Sequence, residues 1–221
     1  MLSDYVVHEI ISTIANMKHL HAYKCEELMD KLYPWADCDI FTGATKICFV
    51  FKEYDYVIKT DFSKNTSYSY EEYAIYEEAK KRHLEKAFPE TKIFCEKNER
   101  TFIAQEKIDY CCANLPNRLK DKYNAITKTA SKKILDKMQK GFYIPDDDYN
   151  RNLDVLWASM IICLYGKAFA KNLCQLVRDY KINDLHRGNL GYKSNRPIFL
   201  DFCGYEGDYY SPTYSSSENY S

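Results

Sequence analysis

Apolar positions in the first thirty residues recur at helical spacing. Val6, Val7, Ile10, Ile11 and Ile14 follow the i, i+3, i+4, i+7 steps of one helix face, and Ser3 stands where a cap would. This pattern predicts two helical pieces over residues 3–32. The period then changes. Residues 47–51 and 56–60 are short runs of β-branched and aromatic side chains, and the polar stretch 52–55 between them predicts a hairpin. Residues 68–84 return to the helical period, with Ile75, Tyr76 and Ala79 as the apolar stripe and Glu72 on the same face. Residues 91–95 and 101–107 flank a polar turn and predict a second hairpin. Two longer helices follow over 116–140 and 153–178, joined by a polar turn at 144–150, and the apolar run 197–200 predicts one more strand. The tail from residue 205 is rich in Tyr and Ser without an apolar period, and reads as loosely ordered.

Composition narrows the function classes. The chain has 221 residues and a formal net charge of −1, so no basic field points to nucleic acid. One locally basic stretch, from Arg118 to Lys140, carries enough apolar residues to be the solvated face of a helix. Nine cysteines lie scattered without C-x-x-C spacing, and no signal-peptide pattern opens the chain. A reducing, cytoplasmic setting with free thiols is expected, and delivery into a host cell stays open. His19, His21 and Cys25 have no second Cys/His pair to complete a metal site. The longest uncharged apolar stretch, 155–166, falls short of the about 20 residues that span a bilayer, so no membrane span is expected.

Candidate chemistry is concentrated near the C-terminus. The chain reads Asp184-Leu185-His186-Arg187-Gly188-Asn189, then Ile198-Phe199-Leu200-Asp201-Phe202-Cys203. An Asp, an Asn five positions on and a second Asp ending an apolar run are oxygen donors suited to a hydroxyl acceptor and a phosphate-bound metal. Taken singly they are ordinary loop residues. Upstream, Gly43 is the only glycine before Gly141, and Lys59 ends the strand phrase Tyr56-Val57-Ile58-Lys59. A carboxylate on the buried stripe of a helix needs a partner, so Glu72 points to Lys59, with Glu71 as a neighbouring substitute.

The order of these features resembles the protein-kinase-like superfamily over residues 35–204. That resemblance implies a two-lobed α+β fold with a small antiparallel-sheet N-lobe and a truncated helical C-lobe. It divides the chain into a helical extension (1–34), an N-lobe (35–107) and a C-lobe with its tail (108–221). It also implies roles. Asp184 would be the base, Lys59 would hold the phosphates of ATP, and Glu72 would hold Lys59. Gly43 would belong to the phosphate lid, while Asn189 and Asp201 would bind magnesium or manganese. Ile103 would back the adenine pocket, with Gln105, Glu106 and Lys107 as the hinge. Departures from the pattern are a single glycine in the lid, Ile182-Asn183 in place of His-Arg, and Cys203 in place of the glycine of Asp-Phe-Gly. Seventeen residues follow Gly204, so a minimal core lacking an activation segment is expected. In plan this is similar to short secreted effector kinases of enteric bacteria and to compact kinase-like proteins of phages and gut bacteria. The leading expectation is a protein kinase with a protein substrate or an activating partner. A small-molecule kinase of the aminoglycoside or choline type is the alternative, since Asp-Leu-His-Arg-Gly-Asn resembles its loop. A pseudokinase acting as a binding module is the third.

Overall fold

A computed structural model describes residues 2–43, 45–64, 66–111, 155–182, 189–194 and 196–203, together with Asn117, Asp121 and Ala125. The predicted base Asp184 and the tail from residue 205 lie outside the described residues, as do the turn at 144–150 and nearly all of the helix expected at 116–140. The chain opens with two helices, α1 (Asp4–Ala15) and α2 (Ala22–Leu32). Ser3 caps α1, its Oγ accepting from the Val6 N–H at 3.4 Å.

Five antiparallel strands follow: β1 (Cys38–Thr42), β2 (Lys46–Phe51), β3 (Tyr56–Asp61), β4 (Thr91–Lys97) and β5 (Arg100–Glu106). They form one sheet in the order β1-β2-β3-β5-β4. Both expected hairpins are present, and β1 adds an edge strand that the apolar pattern does not announce. The cross-strand register sorts side chains onto two faces. Ile47, Phe49, Ile58, Phe102 and Ala104 share a buried core with Val7, Ile10, Ile11 and Ile14 of α1 and with Cys25 and Met29 of α2. The two N-terminal helices therefore cover the sheet's dry face. Its other face carries Lys46, Lys59, Asp61 and Gln105, and α3 (Tyr68–Lys81) lies against β3, β4 and β5. Asp61 anchors the start of that helix, its carboxylate accepting from the Ser69 N–H at 2.9 Å and the Ser69 hydroxyl at 2.6 Å. A negative charge is favoured at a helix N-terminus.

A second, three-stranded sheet joins β6 (Tyr110–Cys111), β7 (Leu190–Lys193) and β8 (Arg196–Phe199) in that order. Gly191 in β7 permits a close approach: a Cβ there would fall 2.3 Å from Ile108 Cδ1. The last described helix, α4 (Val155–Asp179), is interrupted at Gly166, whose φ of 81° and ψ of 169° are glycine territory. The apolar period expected a continuous helix there, because periodicity does not register a single backbone reversal. Beyond the break, Leu173, Leu176 and Val177 join a second core with Ile75 and Ala79 of α3, Phe88, Phe199 and Phe202. Phe202 is fully buried and meets Phe88 edge-on, 4.9 Å between centroids. Arg82 and Asp179 tie α3 to the end of α4 at 2.6 Å. Among the described residues no helix is long and apolar enough to cross a membrane.

If α1 belongs to the same core as the sheet, truncating its inner face must weaken the whole unit. Ile10→Ala is expected to cost about 2–5 kcal/mol in urea unfolding. Tyr5→Ala, on the outer face of the same helix, should stay within about 0.5 kcal/mol. Equal, small losses for the two would show that α1 unfolds apart from the sheet.

Candidate functional site

The polar face of the sheet, the inner side of α3 and the segment after β8 meet at one buried cluster. Lys59 comes from the middle of the sheet, opposite Cys48 on β2 and Ile103 on β5. Glu72 comes from the buried stripe of α3 and has no exposed surface. Lys59 Nζ donates to Glu72 Oε1 at 3.3 Å and to the Leu200 carbonyl at 2.8 Å. The lysine–glutamate pair expected from the sequence is thus formed. Glu71 serves the helix end instead, where Ser67 Oγ donates to its carboxylate at 3.0 Å.

A second lysine joins them. Lys46, the first residue of β2, is 4% exposed and donates to Glu72 Oε2 at 3.0 Å, Asp201 Oδ1 at 2.6 Å and Cys203 Sγ at 3.0 Å. Two ammonium groups and two carboxylates therefore share one site and balance in charge. Gln105 completes the ring, its Nε2 donating to Glu72 Oε1 at 3.4 Å and to Thr91 Oγ1 at 3.3 Å.

Electrostatics follow from this packing. Burial alone would lower both lysines. For Lys46, the Glu72 and Asp201 carboxylates outweigh burial, and its pKa lies well above the ordinary lysine value. Lys59 is likewise raised, against burial, by Glu72 and Asp201. Burial would raise Asp201, but Lys46 and Lys59 hold it below the ordinary carboxylate value. Burial pushes the Cys203 thiol well up, so it stays protonated at neutral pH.

The remaining candidates sit around this cluster. Asn189 immediately precedes β7, and its carbonyl accepts the Leu200 N–H at 2.8 Å, one residue before Asp201. Asp201 is about a third exposed (36%), and its Oδ2 has no protein partner among the described residues. Gly43 lies in the β1–β2 turn, where its N–H donates to the Lys46 carbonyl at 2.9 Å and so closes the turn. The expected hinge divides. Gln105 directs its side chain into the cluster, while the N–H groups of Glu106 and Lys107 are engaged by the Glu90 and Asp55 carbonyls at 2.8 and 3.0 Å. Glu106 also pairs with Lys193 of β7. Those two backbone donors are therefore already satisfied inside the protein.

Sequence reasoning misses Lys46 and the inward turn of Gln105. Strand alternation accounts for both once the pairing is known, since Lys46 and Cys48 face the same way as Lys59, and Gln105 the same way as Ile103. No protein-family model matches the chain, and no curated protein is significantly similar to it in sequence.

Removing one member of a buried ion cluster leaves the others uncompensated, at about 3–5 kcal/mol. Glu72→Ala, which strands two ammonium groups, should fall in that range by chemical denaturation, and Lys59→Met should cost less because Glu72 keeps Lys46. The network also fixes a pH window. Asp201 is depressed, so its contribution is lost as pH falls through a folded value below 3.8. The lysines are raised, so theirs is lost as pH rises above 10.5. The stability gap between wild type and Lys46→Met should hold from about pH 5 to pH 9 and narrow outside it. A gap that shrinks steadily between those limits would show that another group governs it.

Proposed function

We propose that the chain is an ATP-dependent phosphotransferase with a two-lobed, protein-kinase-like core, acting on protein hydroxyls. The observation that carries this reading is the buried Lys59–Glu72 pair against the Leu200–Asp201 segment, contacts that join β3, α3 and a stretch 141 positions further along the chain. The order of elements adds support: a glycine turn, β2, the lysine strand β3, the glutamate helix α3, the β4–β5 hairpin, and a β7–β8 hairpin that leads into Asp201.

In this reading Lys59, whose side chain is 11% exposed, would hold the α- and β-phosphates, with Glu72 fixing its rotamer. Asp201 and Asn189 would hold magnesium or manganese. One carboxylate and one amide are hard oxygen donors, and magnesium takes one or two carboxylates together with phosphates and water. Bound there, the ion would neutralise charge on the phosphates. Asp184, placed by its spacing from Asn189, would accept the proton of the acceptor hydroxyl as the hydroxyl oxygen bonds to the γ-phosphorus. The bond from that phosphorus to the bridging oxygen breaks, and ADP leaves. The protein would contribute positioning and fixed charge, without a covalent intermediate. A protein acceptor or an activating protein is the expected partner.

One observation favours a second reading. Lys46 sits directly on Asp201, the carboxylate that a metal would need. This fits a pseudokinase whose charged cluster serves only the fold and whose role is to bind a partner.

Calorimetry with a non-hydrolysable ATP analogue separates the two. The kinase reading expects binding that needs magnesium or manganese and weakens at least tenfold, about 1.4 kcal/mol, in Lys59→Met. Asp184→Asn should keep that binding and lose transfer by about 100-fold or more. No analogue binding with or without metal would leave the pseudokinase.

A further inference from the structure

Lys46 has no assigned part in that chemistry, yet it makes the shortest contact in the cluster. Its ammonium carries three hydrogens and has three partners, Glu72 Oε2, Asp201 Oδ1 and Cys203 Sγ, on two elements other than its own strand. With 4% of its side chain exposed, it has neither a spare donor nor a solvent path towards a ligand. Withdrawing it from Asp201 would leave a charged group inside the protein short of one partner, which is costly. Lys46 is therefore a fixed cation on one oxygen of Asp201, while the other oxygen has no protein partner among the described residues.

The geometry points to a site that takes a single divalent ion with its nucleotide, Lys46 standing in place of the second. Kinase-type sites commonly hold two ions, both drawing on the carboxylate that Asp201 represents. A second ion would need Oδ1, which already accepts from the Lys46 ammonium at 2.6 Å, and would set like charge beside like charge. Oδ2 is left for one ion, shared with Asn189. Lys46 is thus a positioning residue: it orients Asp201, ties the Asp201–Cys203 segment to α3 through Glu72, and sets the number of ions. This inference rests on the kinase reading.

The test is to count bound manganese. The full chain is titrated with Mn²⁺ at saturating concentrations of the β,γ-imido analogue of ATP. Free Mn²⁺ is followed by electron paramagnetic resonance, and bound analogue is measured in parallel. Wild type is expected to bind one Mn²⁺ per analogue, and Lys46→Met a second, weaker one. Lys46→Arg keeps the charge and should stay at one. Two ions per analogue in wild type would overturn the inference without any variant, so the outcome does not depend on Lys46→Met folding. A folded Lys46→Met that also binds one ion would overturn it as well, since Lys46 would then not set the count. If wild type binds no analogue, the kinase reading falls and this inference with it. Analogue bound with two ions leaves the kinase reading standing.

Discussion

Glu72 is a carboxylate with no exposed surface, and a buried charge must be answered from within the protein. Its answers come from different places: Lys46 from one strand, Lys59 from the next and Gln105 from a third. Lys46 and Lys59 each reach on to the segment around Asp201. The position of α3 on the sheet and the position of the segment after β8 are consequently a single problem with one solution. Such a cluster gains little net stability over a well-packed apolar alternative. What it provides is a definite arrangement, because moving any of these three pieces would leave a buried charge short of its partner.

The sheet can afford a charged face because its other face is dry. Phe49, Phe102 and Ile58 are sealed by α1 and α2, so the apolar burial that holds the layers together lies away from the candidate site. A second core then forms around Phe88, Phe199 and Phe202, and Ile75 and Ala79 bring the buried face of α3 into it. In the polar cluster Glu72 and Lys46 are buried, while Asp201 keeps about a third of its side chain exposed.

Much of this was legible from local pattern. The helical stripe of α1, both hairpins of the larger sheet and the buried face of α3 follow from residue spacing within single elements, and Glu72 could be matched to Lys59 on the cost of an unpaired buried charge alone. What was not legible depends on how elements align. Lys46 adjoins a glycine turn and reads as a turn residue until the pairing of β2 with β3 sets it opposite Asp61, on the side of Lys59. Gln105 was read as a hinge residue from the resemblance alone, whereas alternation along β5 turns its side chain inward. The break at Gly166 is a backbone property with no signature in hydrophobic period. Asp184 and Asn189 were read from mutual spacing, and only Asn189 falls among the described residues.

The alternation of β2 has one more consequence, for how the chain avoids misfolding. Lys46 and Cys48 face the charged cluster, and Ile47, Phe49 and Phe51 face the dry core, so polar and apolar demands change with every residue. A slip of one position against β3 would send a lysine into the hydrocarbon layer and a phenylalanine among the carboxylates. Each error would cost burial of an unpaired charge or the loss of an apolar side chain from the core. The same six residues that build the candidate site therefore act as a proofreading device for strand pairing, rejecting the neighbouring register on both faces at once.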